Sequence, residues 1–493
     1  MVNTPDCVGN RECAQYCQVL NNLTSEAQTS TCEWPGRIKG DYDFSAATTP
    51  DLARHMANRL FSVLMNTNAV QESLANPKSE LSVAYAAQTA VFDARMALWG
   101  SYATASKQGR VITDVEVDFY TRELQSTIKE VDASLRGSGV SKEKLTLAQA
   151  MHDRKTMEDT GLLFDEGMVK TVTHMCANVA GGVSTLAVGD KGIAKTQAAK
   201  FVSGLFSPDG KPRVISGDGS MMKDEFIGKM TLSEKNGATV TTFQQGILTD
   251  CMEQGTPLVM DEINLIDPAI AMRLQDILLR KPGDEVSLQE DGGKRIVIKP
   301  GFCVIATANE ASSRYQSRAA LDPAFRDRFV VLPIQYPDGD TEILKQDQLP
   351  GSLVRLAYAH VVSRNGLPSN RVSATDAYWL ARIAHASQQL YSKPAKDVRG
   401  SLGGNVASVV DDTEPRMNDC ITPRTMVRIL KTVDTGLNPY DIAAGIRGLA
   451  MDTIAAMQRD DDRATMLEVV RLLHGKNDGQ FDEKDIKKRM RIA

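Results

Sequence analysis

The sequence is short of aromatic residues, of basic surplus and of long apolar runs, and each shortage removes a class of protein. Aromatics make up 5% of the 493 residues, which suits aliphatic helical and α/β packing better than a β-sandwich. Lys and Arg number 57 against 62 Asp and Glu, a net charge of -5. That balance supplies no general basic field for nucleic acid and leaves only a local patch open. No uninterrupted apolar run reaches membrane-spanning length, and the first residues lack a charged-then-apolar signal pattern, so the expected compartment is the cytoplasm. What is present is ordinary for a folded protein: 42% hydrophobic and 24% charged residues can bury enough surface to fold. The length exceeds one core and points to roughly two to four domains.

Cysteine is unevenly spread. Cys7, Cys13, Cys17 and Cys32 crowd the start of the chain, at a spacing that matches no common zinc pattern of close Cys pairs. They read as reduced thiols on a loosely ordered tail, with a metal or redox site as the alternative. Cys176, Cys251, Cys303 and Cys420 lie in apolar contexts and read as small buried hydrophobes.

Residues 1–48 lack sustained periodicity and form a Cys-containing tail. At "TTPDLARHM" Thr49 is placed as an N-cap, with Pro50 in the first turn and Asp51 at the positive end of the helix dipole. Leu52, Met56, Leu60 and Leu64 then recur on one face, and periodic segments at about 79–107, 113–135 and 141–158 extend a helical N-terminal domain over 49–160. Within it "DASLR", Asp132 to Arg136, approaches a metal-adhesion signature but carries Arg where the last hydroxyl ligand belongs. It reads as a solvated helix face. From residue 161 the texture changes to short β-rich runs, "VSTLAV", "PRVISGD", "PLVMDE" and "FCVIATAN", separated by helical segments. Such alternation implies right-handed crossovers and a largely parallel, buried sheet over 161–344. After "FVVLPIQYPDGD" the strands stop. A smaller helical domain is expected over 345–440, with a loop near "KDVRGSLGGN", and C-terminal helices over 441–493.

The chemistry concentrates in "GDKGIAKT". A phosphate-binding loop needs backbone N–H groups aimed into a concavity, a Lys for the outer phosphates, and a hydroxyl for magnesium at the start of the next helix. Gly189, Asp190, Lys191, Gly192, Ile193, Ala194, Lys195, Thr196 and Gln197 supply that arrangement, so the expected ligands are a nucleotide phosphate and Mg2+. Ala194 stands where a glycine is usual. A methyl group is tolerated there if the position is helical and not left-handed, and a plain strand-to-helix connection is the alternative reading of the loop. About 65 residues on, "GTPLVMDEIN" brings an apolar strand to Asp261 and Glu262. Carboxylates at the C-terminal end of a strand face the crevice where open α/β sheets bind ligands. Asp261 is suited to a magnesium shell and Glu262 to polarising an attacking water. Asn309 ends "GFCVIATAN" beside the same crevice, where it could orient that water. "LDPAFRDRF" sets Arg326 and Arg328 on a short helix where a neighbouring subunit's nucleotide could meet one of them; pairing with Asp322 or Asp327 is the alternative. "ITPRTMVRIL" places Arg424 in the first turn of a later helix, in position to fold back onto phosphates.

In order and spacing these elements resemble the AAA+ ATPases, specifically the helix-2-insert branch of MoxR-type chaperones, gas-vesicle and Rubisco-activation ATPases, and the ATPase subunit of cobalt chelatase. In that branch the loop often ends Ala-Lys-Thr or Ala-Lys-Ser, as it does at Ala194. The stretch Asp224 to Asn264 resembles the branch from its second helix to the magnesium-binding strand. Within it "MTLSEKNGATVTTF" looks like the inserted hairpin that faces a ring pore. "TPRT" is similar to a sensor-2 helix start. The likeness covers roughly residues 165–440. It implies a P-loop AAA+ core with a parallel sheet flanked by helices, a helical lid, and an all-helical N-terminal domain. It also implies a homo-oligomeric ring, usually of six members, with Arg328 favoured over Arg326 as the finger acting in trans. The activity implied is Mg-dependent ATP hydrolysis that remodels a protein client, with a separate von Willebrand factor A domain protein as the partner of several relatives. A nucleic-acid translocase or loader is the alternative, disfavoured because the hairpin offers Lys229 and Lys235 against Glu234. A metal-chelatase ATPase subunit is another.

Overall fold

The computed structural model describes residue 70 and residues 73–217, 223–235, 238–309, 321–336, 351–369, 371–392, 417–436 and 445–474. The tail cysteines, the helix start at Thr49, the apolar repeat from Leu52 to Leu64 and the loop at 396–405 lie outside them. The described residues fall into two compact units, one drawn from 1–88, 134–159 and 336–493, the other from 89–133 and 160–335.

The second unit holds β1 (Thr185–Gly189), β2 (Arg213–Ser216), β3 (Gly228–Lys235), β4 (Ala238–Gln245), β5 (Leu258–Asp261), β6 (Glu285–Leu288), β7 (Lys294–Val297), β8 (Val304–Asn309) and β9 (Val330–Pro333). Five of these form one sheet in the order β2-β5-β8-β1-β9, and every pairing is parallel. Leu258, Val259 and Met260 of β5 and Val304, Ile305 and Ala306 of β8 are fully buried. Runs that are apolar on both faces are what a parallel sheet covered by helices requires. The helix Lys195–Phe206 buries Ala198, Ala199, Val202, Ser203 and Phe206, a stripe at helical spacing that packs on the sheet. The Ser203 hydroxyl donates to the Pro257 carbonyl at 2.9 Å. The helix Glu166–Ala180 begins at Asp165, whose carboxylate accepts from the Met168 amide, and buries Val172, Met175, Cys176 and Val179. Together with the sheet, this confirms the α/β P-loop fold class read from the sequence.

Two antiparallel hairpins stand apart from this sheet. β3 and β4 pair over their whole length, from Gly228 opposite Gln245 to Lys235 opposite Ala238. Their base is pinned: Phe226 and Ile227 are buried, and the Ile227 carbonyl accepts from the Gly246 amide at 2.9 Å and the Thr249 hydroxyl at 2.6 Å. Further out, Met230 and Leu232 of one strand face are exposed. β6 pairs with β7 from Glu285 opposite Val297 to Leu288 opposite Lys294.

The first unit is helical. The helix Ala374–Ser392 is buried on most sides, and Pro423–Asp434 buries Met426, Ile429, Leu430 and Val433. Residues of Lys142–Thr160 join this unit through a buried ion pair. The Arg355 guanidinium donates from Nε and Nη2 to the Asp153 carboxylate at 2.9 and 2.7 Å, and Gln149 Nε2 donates to the same carboxylate at 2.8 Å. The helix Asp114–Ser138, whose residues 114–133 belong to the second unit, contains Asp132 to Arg136 and has no buried residue, as a solvated face requires. Cys176, Cys251, Cys303 and Cys420 are free and buried. Burial pushes the Cys251 thiol up to about 12 and raises those of Cys176 and Cys303 further. Among the described residues no helix is long and apolar enough to cross a membrane.

Candidate functional site

Register decides which side chains meet. β1 lies beside β8 with Gly189 opposite Asn309, and β8 lies beside β5 with Ala306 opposite Met260. The C-terminal ends of three adjacent parallel strands therefore deliver Gly189, Asn309 and Asp261 to one edge of the sheet. That edge, outside the carboxyl ends of the strands, is where open α/β sheets place ligands.

The turn leaving β1 is tight. A Cβ on Gly189 would stand 2.1 Å from the Ile334 carbonyl oxygen, so no side chain fits there. Ile193 is buried and anchors the loop, and the Gln197 side chain donates to the Thr160 carbonyl at 2.9 Å. Ala194, the N-cap of Lys195–Phe206, has φ 64 and ψ 21, which is left-handed, and makes no side-chain cap bond. The condition under which a methyl group would sit there without strain, a right-handed helical backbone, is therefore not met. The chain accepts a Cβ in a region that disfavours one by roughly 1–2 kcal/mol. The helix N-terminus keeps its orphan N–H groups without a side-chain cap, and such an end attracts anions.

Lys195 is 7% exposed. Its ammonium donates to the Gly189 carbonyl at 2.9 Å, to the Asp190 carbonyl, and to Asn309 Oδ1 at 3.1 Å. Asn309 turns its amide nitrogen to Glu262 Oε1 at 3.4 Å. The Thr196 hydroxyl donates to Asp261 Oδ1 at 2.6 Å. One chain of polar contacts thus runs from Lys195 through Asn309 to Glu262, and a second joins Thr196 to Asp261.

A residue that sequence reasoning passed over completes the set. Thr307 is 1% exposed; its hydroxyl donates to Asp261 Oδ1 at 2.5 Å and accepts from the Glu262 amide at 3.1 Å. The available signal was its spacing: two residues before Asn309 on a strand, it shares that residue's face. Glu262 itself has φ 53 and ψ 49, a left-handed conformation uncommon outside glycine.

Arg326 and Arg328 flank a turn held by the edge-to-face rings of Phe325 and Phe329, 5.6 Å apart and both buried. Asp322 caps this turn, accepting from the Phe325 amide at 3.1 Å. Arg328 Nε is buried without a hydrogen-bond partner among the described residues. Arg424 belongs to the other unit. It follows Pro423 in the first turn of Pro423–Asp434, whose N-cap Thr422 accepts from the Thr425 amide, as the Thr-Pro start implied.

Residues 184–329 match the AAA domain of the dynein-related subfamily. Over 266 residues the chain is 29% identical to the uncharacterized protein YojN of Bacillus subtilis strain 168, covering 52% of this chain and 80% of that one. Over 122 residues it is 31% identical to midasin of Giardia intestinalis, which amounts to 25% of this chain and 2% of midasin. A crystal structure of a presumed ATPase from Cytophaga hutchinsonii covers 70% of this chain and 96% of its own at 13% identity, with a TM-score of 0.28. Over residues 184–329 the chain is therefore similar to AAA domains.

Proposed function

We propose that the protein is a Mg-dependent ATP hydrolase of the MoxR-like, helix-2-insert kind, working in a homo-oligomeric ring, most simply a hexamer, to remodel a protein client. The observation that carries this reading is the meeting of Lys195, Thr196, Asp261, Glu262 and Asn309 at three adjacent strand ends. The residues fit the ligand pair. An N-terminus without a side-chain cap and a buried ammonium suit the phosphates of ATP. The hydroxyl and carboxylate oxygens of Thr196 and Asp261 are the hard donors that magnesium accepts alongside phosphate oxygens. Bound magnesium would supply charge neutralisation on the transferring phosphoryl group.

Backbone N–H groups of 190–196 and the Lys195 ammonium would hold the phosphates, while Asp261 and Thr196 would hold the ion. Glu262, aligned through Asn309 Nδ2, takes the proton of the attacking water at its carboxylate. Arg328, with Arg326 as second choice, serves the neighbouring subunit's site, and Arg424 acts as the sensor-2 arginine. The exposed apolar pair Met230 and Leu232 supports contact of the β3–β4 hairpin with a client. A separate von Willebrand factor A domain protein is the proposed partner.

Two variants test this. Lys195→Ala should lose binding of a fluorescent ATP analogue. Glu262→Gln should bind it normally and hydrolyse ATP at least 100-fold more slowly; normal turnover in Glu262→Gln would refute the assignment. ATPase rates with single-stranded and duplex DNA at two salt concentrations decide the nucleic-acid alternative, because phosphate contacts make any stimulation steeply salt-dependent.

A further inference from the structure

Glu262 occupies a left-handed backbone conformation that is unfavourable for a residue with a Cβ and persists only where its surroundings impose it. Two contacts impose it here. From the β8 side, the Thr307 hydroxyl accepts the Glu262 amide proton. From the β2 side, the Gly217 amide donates to the Asp261 carbonyl at 2.7 Å, and a Cβ on Gly217 would stand 2.5 Å from the Glu262 carbonyl oxygen. The Thr307 hydroxyl has one proton, and that proton goes to Asp261 Oδ1. Its donor and acceptor functions are therefore both committed, in a buried position, to two successive residues of the next strand's end.

We propose that Thr307 is a positioning residue for hydrolysis: one hydroxyl ties the orientation of the Asp261 carboxylate to the left-handed turn at Glu262, so that the ion-holding and water-activating carboxylates are set together. The proposal rests on the ATPase reading above and deepens it. A valine at this position keeps the shape and removes both hydrogen bonds. A serine keeps both bonds and removes only the methyl group.

The first readout needs no nucleotide. In the nucleotide-free protein, hydrogen–deuterium exchange at the Glu262 amide should quicken at least 10-fold in Thr307→Val and stay within about 3-fold of wild type in Thr307→Ser. The second is kinetic: Thr307→Val should lower kcat about 10- to 100-fold, the usual effect of removing a group that orients a ligand-bearing side chain, with the KM for ATP within about 3-fold, and Thr307→Ser should restore most of kcat. Gly217→Ala, which presses on the same turn from the other side, should lower kcat with KM likewise preserved. If Thr307→Val does not fold, Thr307→Ala, which also removes the hydroxyl, provides the test through the same two readouts. Unchanged kcat in Thr307→Val, equal losses in the valine and serine variants, or an effect confined to KM would each overturn the proposal. Wild-type protein that hydrolyses no ATP would instead sink the ATPase reading and leave the exchange result to decide the hydroxyl's structural part.

Discussion

The Asp153–Arg355 pair offers the sharpest energetic test within the helical unit. The Asp153 side chain is 2% exposed and that of Arg355 16%, so Arg355→Met would strand a carboxylate away from water with Gln149 as its one remaining described partner. Leaving a buried charge uncompensated costs about 3–5 kcal/mol. For a unit of this size, 1 kcal/mol moves a melting midpoint by roughly 2–4 °C, so a fall of at least about 6 °C is expected in the transition assigned to this unit. Replacing both partners, as Asp153→Leu with Arg355→Met, removes the charge problem as well as the attraction. That double variant should lie within about 2 kcal/mol of wild type, because well-packed apolar replacements of buried pairs are often neutral or better. Differential scanning calorimetry of the four proteins closes the cycle. If Arg355→Met melts with wild type, or if the double variant is worse than the sum of both singles, the pair is not the desolvated, mutually dependent unit described above.

Other consequences follow from the same physical terms. His360 is buried, with Nδ1 3.0 Å from the Leu356 carbonyl; burial, aided by Arg154 and Lys431 and opposed by Leu356 and Asp434, lowers its pKa to about 4. A base held neutral by the fold contributes stability that is complete above its ordinary value near 6.5 and is lost as pH falls toward 4. The helical unit should therefore lose about 3 kcal/mol across that window, at about 1.4 kcal/mol per pH unit, and His360→Gln should flatten the dependence of its melting midpoint on pH. If Arg328 acts across a subunit boundary, Arg328→Ala should cut turnover by about 10³-fold or more. Mixing it with Glu262→Gln should then restore measurable ATPase activity; a mixture as inactive as its parts would exclude action in trans. Ala194→Gly should relieve left-handed strain of roughly 1–2 kcal/mol against an entropy loss of about 0.4–1, a net gain of about 0 to 1.6 kcal/mol in urea unfolding. Cys176, Cys251 and Cys303, whose thiols burial holds protonated, should resist alkylation at pH 8 until denaturant is added.

The catalytic-type positions were legible because each is a residue type the chemistry cannot do without, placed at the end of an apolar run. Gly189, Lys195 and Thr196 follow one such run, Asp261 and Glu262 a second, Asn309 a third. Helices were legible from periodicity: segments expected at about 79–107 and 113–135 are observed as Glu80–Lys107 and Asp114–Ser138. What stayed hidden depends on register or on dihedral angles. Thr307 is one more β-branched residue in a buried strand until β8 is laid beside β5. The left-handed angles of Ala194 and Glu262 have no counterpart in residue type. Asp153 and Arg355 are 202 residues apart, beyond any local pattern. The β6–β7 hairpin was missed because its strands are short, although the Gly-containing stretches on either side of β6 were turn signals.

The pinned base of the β3–β4 hairpin makes it a lever. Each strand has 8 residues, and at about 3.3 Å per residue the arm is roughly 26 Å long. A tilt of about 10° where Ile227 is clamped would sweep the distal end through roughly 4–5 Å, a displacement larger than any single hydrogen bond at the nucleotide end of the fold. A small change of angle at the buried base is thus enough, geometrically, to carry the exposed strand face farther than the base itself moves.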